Sequence, residues 1–289
     1  MAKPAPPPTI DRAKIEALVK AALGEITVGG ASGGPPVDAG GGLLLSPDRG
    51  VNLDRPFDPP VMRGILDATP ARVAVGRAGT RYRTNTLLRF RADHAAAKDA
   101  VMSEVDEALI DKLGLLKLKS RAESKVHFLQ RPDAGRALSD ESRRVVAEKL
   151  PRGQTLLMIY GDGLSASAIN TNLEPFHRAV EAAVAARGLS VGAACFVRWS
   201  RVKVMDEICR TAESQSAVFV CGERPGLGFA DSLSAYYMYR PASGIPTDAD
   251  REVISNINPR GLDVKKAADQ LADAIVRILR DKKSGVILG

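Results

Sequence analysis

Three short apolar runs set the terms on which this chain can fold: TLLMIY (155–160), AACFVR (193–198) and AVFVCG (217–222). Each has the length of a strand and none alternates as a half-exposed strand does, so each reads as buried on both faces. A helical stretch from about Ala166 to Arg187, stopped by Gly188, separates the first run from the second. VMDEICRTA, a shorter helix, separates the second from the third. Continuous apolar strands alternating with helices argue for a parallel sheet covered on both sides. AYYMYR (235–240) adds a fourth strand, and the chain closes with a helix whose Val264, Ala268, Leu271, Ile275 and Ile278 share one face. The expected class is α/β, with a Rossmann-like, mostly parallel sheet in the C-terminal half.

The preceding sequence has a different texture. Residues 1–60 hold a short amphipathic helix, Ile10 to Leu23, and then a glycine- and proline-rich linker that cannot bury enough surface to offset its ordering entropy. Residues 61–150 read as a mainly helical region. It includes an extended piece at Arg72–Val75, a basic loop with Arg77, Arg81 and Arg83, and Thr84 as the N-cap of the next helix. Residues 151–289 form the Rossmann-like, ligand-contacting domain.

Composition narrows the function classes. No run of 18 apolar residues is present, so no transmembrane helix is expected, and MAKPAPPPTI lacks the apolar stretch of a secretory signal. Cys195, Cys209 and Cys221 are odd in number and lie in apolar surroundings, which suits free thiols in a reducing cytoplasm. The three histidines, His94, His127 and His177, are far apart in sequence, and no metal site is expected. A net charge of +7 invites a nucleic-acid reading, but only 4% of residues are aromatic and the basic residues are interleaved with acids. A solvated basic surface, or a dock for an acidic partner, is the simpler account.

Two loops carry the candidate chemistry. Gly161, Gly163 and Ala166 match G-x-G-x-x-A between a strand and a helix, the place of a dinucleotide pyrophosphate. Asp162 opposes that reading, because it puts a carboxylate in the anion's path with no nearby arginine obliged to compensate. Arg198 and Arg201, after the second strand, would suit a 2′-phosphate, so a self-contained NADP-dependent oxidoreductase stands as the alternative. The other loop, GERPGLG (222–228), follows the third strand, where open α/β sheets present ligand sites. Glu223 can accept hydrogen bonds from amides and Arg224 can hold a carboxylate. A rigid turn with a Glu223–Arg224 or Arg224–Asp231 ion pair explains the same residues. His94, after Asp93 on a helix, is a general-base candidate against the commoner half-buried histidine.

Several strings taken together resemble the ethanolamine ammonia-lyase small (light) subunit. They are GRAGTRYRTNTLLRFRADHAAAKDAV (76–101), RPDAGRAL (131–138), DGLSASAI (162–169), RVKVMDEI (201–208), GERPGLGFADSLSAY (222–236) and TDADREVISNI (247–257), with Gly261–Leu262 after them. The resemblance implies a subunit that covers and orients adenosylcobalamin at the interface with a TIM-barrel large subunit, which holds ethanolamine and the catalytic residues. Homolysis of the cobalt–carbon bond then starts the conversion of ethanolamine to acetaldehyde and ammonia. No catalytic residue and no metal ligand is expected in this chain. The family's cobalamin contacts fall on Val202, Glu223 and Val253, where Val253 replaces the usual cysteine. The resemblance also implies that cobalt keeps its dimethylbenzimidazole, since Asp-x-His-x-x-Gly is absent. It further implies a hetero-oligomer in the cytoplasm, with the N-terminal helix as a tag for a bacterial microcompartment.

Overall fold

All three apolar runs lie at the centre of a single six-stranded sheet. The computed structural model of the protein describes residues 51–69, 71–241 and 246–285. The expected helix at Ile10–Leu23 and most of the linker lie outside the described residues. Helix α1 (Pro59–Ala68) comes first, then a small antiparallel hairpin of β1 (Arg77–Ala78) and β2 (Arg81–Tyr82). α2 (Thr84–Met102), α3 (Glu107–Lys112), β3 (Leu116–Lys119), α4 (Lys125–Gln130) and α5 (Asp140–Lys149) follow. The second half runs β4 (Leu156–Gly161), α6 (Ala166–Ala185), β5 (Cys195–Arg198), α7 (Val204–Thr211), β6 (Ser216–Gly222), β7 (Leu233–Tyr239), β8 (Glu252–Ile257) and α8 (Val264–Asp281). Strand order across the sheet is β3-β5-β4-β6-β7-β8.

The four strands from β3 to β6 are parallel, because each is reached through helical crossovers. β7, the expected fourth strand, runs opposite to its neighbour. The connection from Glu223 to Ser232 holds no helix, so the chain folds straight back and β7 pairs antiparallel with β6. β8 then pairs antiparallel with β7. The sheet also starts earlier than the apolar runs indicate, with β3 on its edge beside β5.

Side-chain alternation divides the core between the two faces. Met158, Tyr160, Val218 and Val220 point to the face covered by α6 and α8, where Leu173, Phe176, Leu271 and Ile275 pack. Leu157, Ile159, Val197 and Phe219 point to the other face, under α5 and α7, with Val146, Met205 and Ile208. Every residue of β4 and of β6 is buried, as their lack of polar alternation requires. Gly188 adopts φ +74° beyond α6 and ends it as expected. Thr84 opens α2 as its first residue instead of capping it, and Arg83 stands before it. All three cysteines are buried and free, and burial pushes each thiol up to about 12.

One consequence of this topology positions the site. β4 leaves the sheet toward α6 on one face, while its neighbour β5 leaves toward α7 on the other. Adjacent strands whose connections part in this way open a crevice at their carboxyl ends.

Candidate functional site

Three loops meet at that crevice: 161–165 after β4, 199–203 after β5, and the loop that leaves β6 at Gly222. Their approach is closer than side chains would permit. A Cβ on Gly222 would lie 2.0 Å from the Ser165 carbonyl oxygen. One on Gly163, already at φ +55°, would lie 2.4 Å from the Gly222 carbonyl oxygen. The Leu164 amide donates to that same carbonyl at 3.0 Å. Of the glycines in G-x-G-x-x-A, then, Gly163 serves contact between two loops of the protein, while Gly161 makes room for the Ser200 hydroxyl and the Phe219 ring. Gly226 and Gly228 differ, since an added Cβ at either would meet no atom closer than 3.7 Å.

Asp162 is turned inward. It is 1% exposed, accepts from the Ser200 amide at 3.0 Å and lies 3.7 Å from the Lys125 ammonium. The compensating cation is thus a lysine from a distant segment and not a nearby arginine. Burial raises its carboxyl to about 6, and Lys125 and the Ser200 amide limit that rise. A folded-state value above the unfolded one means its contribution to stability is complete below about 4 and is lost as pH rises through about 6. Lys125→Met removes the countercharge and raises the carboxyl further. The variant should be roughly 1–3 kcal/mol less stable relative to the parent at pH 8 than at pH 5. Urea unfolding of both proteins at the two pH values checks this; an equal deficit at both would show that Asp162 and Lys125 are not coupled.

Between the three loops lies an open pocket of about 370 Å³, lined by Leu164, Arg201, Val202, Glu223, Ser234 and Tyr236 among others. Val202 and Glu223 are thereby brought together. Val253 does not line the pocket, but it pairs with Tyr236 across β7 and β8 on the same face and is 47% exposed. Glu223 is held firmly. Its Oε1 accepts from the Ser234 hydroxyl at 2.6 Å and from the Asn256 amide at 2.7 Å. That amide is available because a bulge in β8 puts Asn256 at φ +61° and takes it out of the ladder. Oε2 makes no hydrogen bond to a described residue and remains as an acceptor. Neither a Glu223–Arg224 nor an Arg224–Asp231 ion pair forms among the described residues; Asp231 bonds the Ser167 hydroxyl instead. Beyond Glu223, the loop is tied to α2 by Arg72, which bonds the Leu227 carbonyl and Asp93, both at 2.5 Å.

Ser234, Tyr236 and Asn256 are the participants that sequence reasoning missed. Ser234 and Tyr236 alternate along β7, which was a usable signal; the bulge at Asn256 left none.

Comparison with known proteins bears on this same stretch of chain. The family described as "Ethanolamine ammonia-lyase light chain (EutC)" matches residues 61–289. A protein named ethanolamine ammonia-lyase small subunit in Clostridium acetobutylicum is 42% identical over 220 residues, covering 76% of this chain and 90% of that one. Its namesakes in Clostridium perfringens and Clostridioides difficile are 39% and 41% identical over 236 residues, covering 82% of this chain and 80% of theirs. The chain belongs to the ethanolamine ammonia-lyase small-subunit family.

The matched span contains the whole sheet and every residue of the pocket. The oxidoreductase alternative finds no support in the geometry. The Leu164 amide is spent on Gly222, and the Ser165 side chain caps α6 through the Ala168 amide at 3.1 Å while bonding the Ala230 carbonyl at 2.8 Å. Ser165 and Ala166 are fully buried, so the helix N-terminus where a pyrophosphate would sit is closed. Arg198, expected to meet a 2′-phosphate, pairs with Glu107 and lies 3.9 Å from Glu104. In the basic loop, Arg83 pairs with Asp54 and Arg77 stacks on Tyr82 at 4.8 Å. His94 is exposed on α2. No described helix is long and apolar enough to cross a membrane.

Proposed function

We propose that this chain is the cofactor-holding small subunit of an adenosylcobalamin-dependent ethanolamine ammonia-lyase, working with a large subunit that binds ethanolamine and carries the catalytic residues. The observation that carries the reading is the pocket at the carboxyl edge of the sheet, where Val202 and Glu223 meet beside Tyr236 and Val253. Its chemistry suits one margin of a corrin, a flat apolar ring fringed with amides. Val202, Leu164 and Tyr236 offer apolar surface, and Glu223 Oε2 offers a carboxylate acceptor to amide N–H groups. The pocket is far smaller than a whole corrin and open on one side. That matches a chain which covers part of the ring and leaves the rest to another subunit.

When bound, the cofactor supplies the radical that initiates conversion of ethanolamine to acetaldehyde and ammonia. The chain's own residues bind and shield. Glu223 is fixed by two internal hydrogen bonds, so little side-chain entropy is lost when Oε2 takes an amide. Val202, Tyr236 and Val253 place apolar atoms over surface that water would otherwise reach.

Purified chain, purified large subunit and adenosylcobalamin, mixed and in each omission, test the reading through acetaldehyde formation from ethanolamine. Activity is expected only with all three present. Turnover by the large subunit without this chain would overturn it, as would NADPH oxidation by this chain alone.

A further inference from the structure

The fold separates the two arginines that the sequence pattern paired. Arg198 turns to Glu104 and Glu107, whereas Arg201 lines the same pocket as Val202 and Glu223. The Arg201 amide is anchored to the Gly135 carbonyl at 2.7 Å, and its guanidinium lies over the Phe128 ring, 4.5 Å from the centroid. Gly135 makes the stack possible: a Cβ there would fall 2.7 Å from the Phe128 ring and 3.0 Å from Arg201 Cγ. The stack therefore fixes where the charge sits.

What the stack does not provide is an acceptor. Among the described residues no carboxylate pairs with the Arg201 guanidinium, and its Nε is buried without a hydrogen-bond partner. A guanidinium has five donors and keeps its proton, so half-burying one without an acceptor is costly unless something bound supplies it. The surroundings add positive charge. Burial first, and then the neighbouring charge of Arg136, hold the Arg201 pKa below its ordinary value, against smaller opposing effects of Cys221 and Asp162. Lys125 lies 5.7 Å from the centroid of the same Phe128 ring, with its ammonium buried and without a hydrogen bond. Asp162 is committed to Ser200 and faces Lys125, and Glu223 Oε1 to Ser234 and Asn256. Arg224, on the pocket wall, contributes a further cation.

The side chains of a corrin are neutral amides, and the cofactor's peripheral anion is the phosphodiester of its nucleotide loop. Arginine matches phosphate oxygens in geometry as well as charge. We propose that Arg201 receives the phosphodiester of the cobalamin nucleotide loop, while Glu223 holds the corrin side. This rests on the reading that the pocket takes cobalamin. Together the two residues would set which way the cofactor lies against the sheet.

The test compares cobalamin with cobinamide, which keeps the corrin and its amides but lacks the nucleotide loop. Affinities of both are measured by absorbance titration of the two-subunit complex, for the parent, Arg201→Met and Arg201→Lys. Arg201→Met should bind cobalamin roughly 10- to 100-fold more weakly, the range of a lost charge-assisted contact. Its affinity for cobinamide should change less than about twofold, and Arg201→Lys should recover part of the loss by restoring the charge. The 31P resonance of bound cobalamin should also move between the parent and Arg201→Lys. Equal losses for both ligands, or none for either, would overturn the assignment while leaving the cobalamin reading intact. Weakened association of the subunits without cofactor would overturn it in favour of a partner carboxylate as the anion. A parent complex that bound neither ligand would remove the reading itself.

Discussion

Replacing Gly222 with alanine should destabilise the protein by at least about 3 kcal/mol and abolish cofactor uptake by the complex. The added methyl group would lie 2.0 Å from the Ser165 carbonyl oxygen and 2.8 Å from its carbon. Both are backbone atoms at the start of α6, where Ser165 is fully buried, so neither can swing aside as a side-chain terminus could. Relief requires β6 and the 161–165 loop to separate, which breaks the hydrogen bond from Leu164 to the Gly222 carbonyl. Those two segments carry the walls of the pocket. Gly228→Ala is the matched control, because nothing lies within 4 Å of its added methyl, and its cost should stay within about 0.5 kcal/mol. Thermal or urea unfolding of the two variants decides the matter. Similar stabilities would mean that the loops are not as closely apposed as described.

Glu223→Ala should weaken cobalamin binding by the two-subunit complex about 10- to 100-fold, the scale of a hydrogen bond to a charged group. It should also lower the chain's own stability by about 1–2 kcal/mol, since the Ser234 hydroxyl and the Asn256 amide lose their common acceptor. Glu223→Gln separates the two effects. Its amide oxygen can still serve Ser234 and Asn256, so stability should be nearly retained while the charge offered to the corrin is gone. Cofactor titration alongside urea unfolding reads both quantities. An unchanged cofactor affinity in Glu223→Ala would take this carboxylate out of the site.

Much of the architecture was legible because the central strands advertise themselves. β4 and β6 are buried on both faces, and only such strands read as unbroken apolar runs. The edge strands gave no such signal. β3 is LKLK and β8 is EVISNI, with alternating or mostly exposed residues, and such short patterns are common in loops as well. The reversal of β7 was hidden because direction depends on the connection, and the absence of a helix between Glu223 and Ser232 is clear only once the loop is seen.

The site was legible in its members more than in its bonding. The rule that ligands gather at strand carboxyl ends singled out Glu223, and the family resemblance added Val202; the structure puts both in one pocket. The charged residues around them were misjudged, because a sequence does not show which way a side chain points. Asp162 appeared to block an anion, yet it faces inward to Lys125, 37 residues earlier in the chain. Arg198 and Arg201, three residues apart, have unrelated environments. The link between GERPGLG and ISNI is a hydrogen bond across 33 residues through a bulge, and no local pattern encodes it.

The most direct test of the account is an experimental structure of this chain bound to its large subunit with adenosylcobalamin. The corrin should lie against the carboxyl edge of the sheet, with one margin in contact with Val202 and Tyr236 and an amide within hydrogen-bonding distance of Glu223. Cobalamin lodged entirely in the large subunit, or against any other face of this chain, would contradict it.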